Sequence, residues 1–220
     1  TRALRLVIRL GRMACFQPKR VVYNSVSGWR THARFGYGTK PSMIIPNGVD
    51  INYFSSSASS AQFSILSSAP PAHVSGRQPS AHVETGGLPL VGCIARFHPM
   101  KGIATLLEAH ARMQDTQPCQ LLLAGDGMCE DNAELSALIE SAGRAARVSR
   151  LGLVEDMPSL YSRLSVLVLP SLFGEGTPNV LLEAMASGAP VVATRVGDAP
   201  RCVGRDEFLV NPGDAAALQD

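Results

Sequence analysis

Two glutamates with seven residues between them, Glu175 and Glu183, mark the part of this chain with the most chemistry in it. Glu175 lies in a glycine-rich loop, Gly174-Glu175-Gly176-Thr177, and Glu183 about two turns along the helix which that loop should open. Thr177 followed by Pro178 reads as a helix start, a hydroxyl N-cap and then proline at N1, where its missing N–H costs nothing. The helix is expected to run from Pro178 to about Ser187, with Gly188 as a left-handed C-terminal cap. Free N–H groups at Asn179 and Val180, with the helix dipole behind them, favour an anion such as phosphate. The two carboxylates are acceptors suited to hydroxyl groups, one near the anion and one further back. A phosphate site flanked by two such carboxylates describes a receptor for a sugar nucleotide. A capped helix with two surface glutamates would leave the same pattern, and pattern alone leaves both readings open.

The surrounding elements decide where such a loop sits. Val166-Leu167-Val168-Leu169, bounded by Pro170 and Ser171, reads as a buried parallel strand, and Pro190 to Thr194 as the next one. The loop is thus at a strand's carboxyl end, where open α/β sheets bind ligands. Upstream, Leu90 to Ala95 is another buried strand, followed by Arg96-Phe97-His98-Pro99-Met100-Lys101-Gly102 and a helix whose apolar stripe is Ile103, Leu106, Leu107, His110 and Met113. His110 on that stripe reads as a core histidine. Arg96 and Lys101 bracket the loop, and two cations converging there would neutralise a diphosphate without a metal; solvated loop charges are the competing reading. Gln120 to Ala124 is a strand turning at Gly125-Asp126-Gly127, with Glu130 where a dinucleotide fingerprint needs its third glycine, which disfavours NAD. A helix from about Glu130 to Ala142 and a strand from Val148 to Leu151 follow. Asp156 is placed to cap the helix carrying Leu160 and Tyr161, Gly197-Asp198 sits at a further strand end, Phe208 to Val210 is a short strand, and Asp214 is placed to cap a last helix. Strands alternating with helices predict an α/β fold with a doubly wound parallel sheet.

A chain of 220 residues holds one large domain or two small ones. Net charge is near zero, but nine Lys and Arg precede the first acid, Asp50. Residues 1–13 set Leu4, Val7 and Ile8 against Arg2, Arg5, Arg9 and Arg12, an amphipathic basic helix suited either to an anionic membrane or to packing on its own sheet. Val21 to Ser25 reads as a strand, Ser27 to about Phe35 as a helix, and Met43 to Ile45 as a strand leading into Pro46-Asn47-Gly48-Val49-Asp50. Residues 55–87, rich in Ser, Ala, Pro and His, offer little burial to offset ordering entropy and read as a mobile linker. His73 and His82 do not argue for metal. Five scattered cysteines suggest reduced, cytosolic thiols. No run approaches the ~20 apolar residues of a membrane span, and the arginines at the start break any signal-peptide pattern.

In its setting, PSLFGEGTPNVLLEAMASGAPVVAT, the Glu175–Glu183 pair resembles the Glu-x7-Glu motif of the retaining GT-B glycosyltransferases of family 4, the group 1 glycosyltransferases. The stretch VVYNSVSGWRTHARFGYG to IIPNGVD resembles the last strand and helix of that family's first domain and the crossing into the second. The resemblance covers nearly all of the chain except the serine-rich middle. It implies a GT-B architecture: residues 1–50 as the tail of a first Rossmann-like domain and the crossing, and 88–220 as a Rossmann-like nucleotide-sugar-binding domain with its last helix cut short; the Ser/Pro/Ala-rich mobile linker, taken as 51–87, lies between them. The implied activity is transfer of a sugar from a nucleotide diphosphate sugar to an acceptor hydroxyl with retention, in cell-surface polysaccharide or glycolipid synthesis, and this stretch alone is expected to be inactive. By resemblance, Glu183 holds the ribose and Glu175 the donor sugar. Arg96, Lys101 and the turn through Gly176, Thr177, Pro178, Asn179, Val180 and Leu181 hold the diphosphate, and Leu153 and Val154 face the base. Glu175, Arg96 and Lys101 are the expected catalytic groups. No Asp-x-Asp motif is present, which agrees with a site that uses neither metal nor cofactor. The partners implied are a nucleotide sugar and an acceptor glycan, lipid-linked sugar or small molecule, with peripheral contact at the inner face of the cell membrane as an option and no nucleic acid. The alternatives are a nucleotide-sugar-binding module without turnover and a sugar-nucleotide epimerase of GT-B fold.

Overall fold

Six parallel strands carry the site. In this computed structural model the described residues are 10–11, 19–37, 41–60, 85–143 and 147–220. The strands are β3 (Leu90–Ile94), β4 (Gln120–Ala124), β5 (Val148–Gly152), β6 (Val166–Leu169), β7 (Val191–Thr194) and β8 (Leu209–Val210), in the order β5-β4-β3-β6-β7-β8. That order places the chain's reversal between β3 and β6. In open α/β sheets such a reversal is where a crevice forms at the carboxyl ends, because the two connections leave toward opposite faces.

Both faces of the sheet are covered, as near-continuous apolar strands require. Alternate residues divide cleanly between two cores: Leu90 and Ile94 face one, Val91 and Cys93 the other. Helices α3 (Ile103–Met113) and α4 (Ala133–Ser141) close the second core, with Leu218 of α8 (Ala215–Gln219) packed against it. Helices α5 (Met157–Ser162), α6 (Asn179–Ala186) and α7 (Ala199–Val203) close the first. Asn132, Asp156 and Asp214 each cap the helix that follows through a side-chain oxygen, so α4 starts at Ala133 rather than near Glu130. Burial pushes the Cys93 thiol up to about 12. His110, its Nε2 3.1 Å from the Cys119 carbonyl oxygen, is held by burial below the usual imidazole range, as a core histidine should be.

A separate parallel pair, β1 (Val21–Tyr23) and β2 (Ser42–Ile44), flanks helix α1 (Val26–Arg34), which starts one residue before the expected Ser27 because Ser25 is its N-cap. The stretch 51–60, placed in the linker, is instead helix α2 (Ile51–Ser60). Asp50 Oδ1 accepts from Tyr53 N–H at 3.1 Å at its start, and Phe54 packs against the first core. One aromatic side chain with a partner thus outweighs a serine-rich composition whose intrinsic helix cost is small. The basic stretch 1–13, apart from Leu10 and Gly11, and residues 61–84 lie outside the described residues, and so do the membrane contact and most of the mobile segment read from them. No helix among the described residues is long and apolar enough to cross a membrane.

Candidate functional site

The loops that follow β3 and β6 meet at the crevice. Gly102 makes the approach possible: a Cβ there would lie 2.0 Å from the Pro170 carbonyl oxygen, at a φ of +63° that disfavours any side chain. Leu172 N–H donates to the Met100 carbonyl at 2.7 Å and ties the two loops together. This brings Lys101, from the first loop, to Glu175, in the second. Lys101 Nζ donates to Glu175 Oε1 at 2.5 Å, and the side chains are 16% and 8% exposed. Ser171 Oγ, fully buried, donates to the same oxygen at 2.5 Å. The serine is itself fixed, its carbonyl accepting from Thr194 Oγ1 at 2.6 Å. Among the described residues Glu175 Oε2 accepts no hydrogen bond.

Glu183 stands on α6 in a different setting. Its Oε2 accepts from the Tyr161 hydroxyl at 2.8 Å, and among the described residues Oε1 is unused. Helix α6 begins differently from its expectation. Pro178, not Thr177, occupies the N-cap position, and no side chain caps the first turn. Thr177 Oγ1 donates instead to the Asn24 carbonyl at 2.7 Å, because the β1–α1 connection lies within its reach. The uncapped N–H groups at Asn179 and Val180 keep the character of an anion site.

Arg96 has different surroundings from Lys101. Its guanidinium is exposed, 3.8 Å from the Met100 sulfur, and forms no ion pair among the described residues. Of the two base-facing candidates, Leu153 is 68% exposed on the loop after β5, whereas Val154 packs against the first core. Gly176, Thr177 and Leu181 lie in the loop and first turn as expected, with Leu181 buried.

Several contacts at the site escaped the sequence. Asp198, buried after β7, accepts from Val26 N–H (2.6 Å) and Ser27 N–H (2.8 Å), so a carboxylate from one end of the chain satisfies the N-terminus of α1. Asn47 donates to the Thr177 carbonyl and to Asn179 Oδ1. Ser27 Oγ donates to the Glu175 carbonyl at 3.2 Å. Only Ser171 left a readable sign, a hydroxyl four residues before Glu175 and two residues past a strand.

Residues 88–220, the whole of the six-stranded unit, match the family described as glycosyl transferases, group 1. The chain belongs to the group 1 glycosyl transferases. Among its group 1 relatives, the O-antigen chain mannosyltransferase B of Escherichia coli is 35% identical over 130 residues, 57% of this chain and 33% of that protein. The phosphatidyl-myo-inositol mannosyltransferase of Mycobacterium leprae is 34% identical over 187 residues, 80% of this chain and 42% of that protein. The chain therefore spans well under half the length of these relatives. Among solved structures, Anabaena Alr3699/HepE in complex with UDP and glucose superposes with a TM-score of 0.76 at 25% identity, covering 98% of this chain and 56% of that one. The sucrose-phosphate synthase of Thermosynechococcus elongatus gives 0.72 at 26% identity, covering 96% and 50%. The parallel six-stranded sheet of this group 1 chain is that of the GT-B glycosyltransferase structures.

Proposed function

We propose that this chain is the donor-binding part of a glycosyltransferase that moves a sugar from a nucleotide diphosphate sugar to an acceptor hydroxyl, with retention at the anomeric carbon and without a metal. The observation that carries this reading is Glu175 at the crevice, with Oε1 held by Lys101 and Ser171 and Oε2 left over. Nearby Anabaena structures hold UDP, UDP with glucose, and UDP-glucose, which supports the ligand class. Retention rests on the likeness of Glu175 and Glu183 to the Glu-x7-Glu motif.

In this reading the diphosphate lies at the N-terminus of α6, between Lys101 and the exposed Arg96. Glu175 Oε2 accepts from a hydroxyl of the donor sugar, and Glu183 Oε1 from the ribose. Leu153 offers an apolar surface to the base. During transfer the bond between the anomeric carbon and the phosphate oxygen breaks. A bond from the acceptor oxygen to that carbon forms on the same face, and the acceptor's proton passes to the departing phosphate. Lys101, Arg96 and the α6 N–H groups stabilise the charge that grows on the leaving diphosphate, which is where preorganised donors lower the barrier most. The acceptor is a hydroxyl of a glycan, a lipid-linked sugar or a small molecule, in surface polysaccharide or glycolipid synthesis. Calorimetric titration of the whole protein with UDP, GDP and ADP in excess chelator tests the reading and selects the base. Binding of one of the three in chelator is expected; binding only after magnesium or manganese is added would overturn the metal-free site.

A further inference from the structure

We propose that Tyr161 is a positioning residue for the donor: its phenol fixes the Glu183 carboxylate so that the second oxygen is presented to the ribose hydroxyls. The inference rests on the nucleotide-binding reading above and adds to it a residue from outside the loop and helix that carry the motif.

Tyr161 is fully buried, and its hydroxyl donates to Glu183 Oε2 at 2.8 Å. A buried phenol needs a partner, but a neutral acceptor would serve at a lower desolvation cost than a carboxylate. The choice of a charged partner is explained if the carboxylate has other work. Glu183 is half-buried and has this single protein partner among the described residues, so half of its acceptor capacity stays open. A free glutamate on a helix explores several rotamers, and ordering it on binding costs affinity. With one oxygen pinned, that cost is met in the fold. The ring is clamped in turn: Phe54 of α2 lies against it, with centroids 6.0 Å apart and planes at 60°. Burial and the neighbouring carboxylate both raise the phenol's pKa, so the hydroxyl remains a donor at any working pH. Helix α2 therefore backs the residue that orients Glu183.

The test is titration of the whole protein and its Tyr161→Phe and Glu183→Gln variants with UDP and with 2′,3′-dideoxy-UDP, which lacks both ribose hydroxyls. Tyr161→Phe keeps the ring and its packing. It should weaken UDP about tenfold, the scale of one charge-assisted hydrogen bond, and leave the dideoxy ligand unchanged. On a Glu183→Gln background the same substitution should cost little more. A merely structural role would lower both affinities alike, and that result overturns the proposal, as does a Tyr161→Phe variant that retains the full preference for UDP. Should Tyr161→Phe not fold, Phe54→Leu loosens the clamp on the ring while leaving Glu183 in place, and a smaller selective loss for UDP is expected; equal loss for both ligands overturns the proposal. A wild-type protein that binds no nucleotide refutes the donor reading itself. One that binds UDP and dideoxy-UDP equally refutes the ribose role of Glu183 alone.

Discussion

Replacing Glu175 by glutamine separates the two ends of the Lys101–Glu175 pair. The charges lie 2.5 Å apart with little solvent access. At an effective dielectric near 20 their attraction is about 6–7 kcal/mol, most of which desolvation cancels. Loss of one partner should cost about 2–3 kcal/mol, the low end for buried pairs, because Lys101 keeps some contact with water. For a chain of this size that lowers the melting temperature by about 4–12 °C. Glutamine still accepts from Ser171 and Lys101 through its carbonyl but no longer neutralises the lysine. An incoming diphosphate then meets an uncompensated cation. If it recovers about 1.4 kcal/mol of the lost stability, bare UDP binds about tenfold tighter than to the wild type. A UDP-sugar gains the same term but loses a charge-assisted contact of about 1.5–3 kcal/mol to the sugar, so its affinity stays level or falls. The assay is calorimetry with both ligands on both proteins, beside thermal melts. Bare UDP that binds Glu175→Gln more weakly than the wild type, or an unchanged melting temperature, would refute the reasoning.

The two loop cations should differ: Lys101→Ala should weaken UDP by about 2–5 kcal/mol, whereas Arg96→Ala, exposed and without an ion pair among the described residues, should cost nearer 1 kcal/mol, as titration will show. Removing the buried Asp198 acceptor as Asp198→Ala strands two N–H groups at the start of α1 and should destabilise by about 2–4 kcal/mol in a urea melt, with Asp198→Asn recovering part of that. His110 has a folded-state pKa below its usual 6.5, so the unfolded state binds the extra proton. Stability should hold above pH 6.5 and fall as the pH drops below it, and His110→Gln should flatten that slope in urea melts taken across the range. Gly102→Ala should destabilise by more than 1 kcal/mol, since its Cβ would meet the Pro170 carbonyl oxygen at a left-handed φ.

The sheet was legible because Leu90 to Ala95, Gln120 to Ala124 and Val166 to Leu169 are short apolar runs ended by turn residues, and each is followed by a helical stripe. The loop carrying Glu175 was legible from its glycines, the proline and the spacing to Glu183. What the sequence hid were contacts between distant segments. Nothing local marks Asp198 as the acceptor for α1, 172 positions away, or Tyr161 as the partner of Glu183. Helix α2 was hidden for the same reason: its serines carry no periodic signal, and Phe54 shows its purpose only once Tyr161 lies beside it. Thr177 misled because a hydroxyl before proline looks like an N-cap until the carbonyl of Asn24 competes for it.

The most direct test of the proposed donor site is a crystal structure of the whole protein grown with UDP, or with whichever nucleotide titrates, in excess chelator. The diphosphate is predicted at the N-terminus of α6, within hydrogen-bonding distance of Lys101 Nζ and the Asn179 and Val180 N–H groups, with Glu183 on the ribose and no metal between the phosphates. A nucleotide bound away from the β3–β6 crevice, or a diphosphate held there without Lys101, would contradict it.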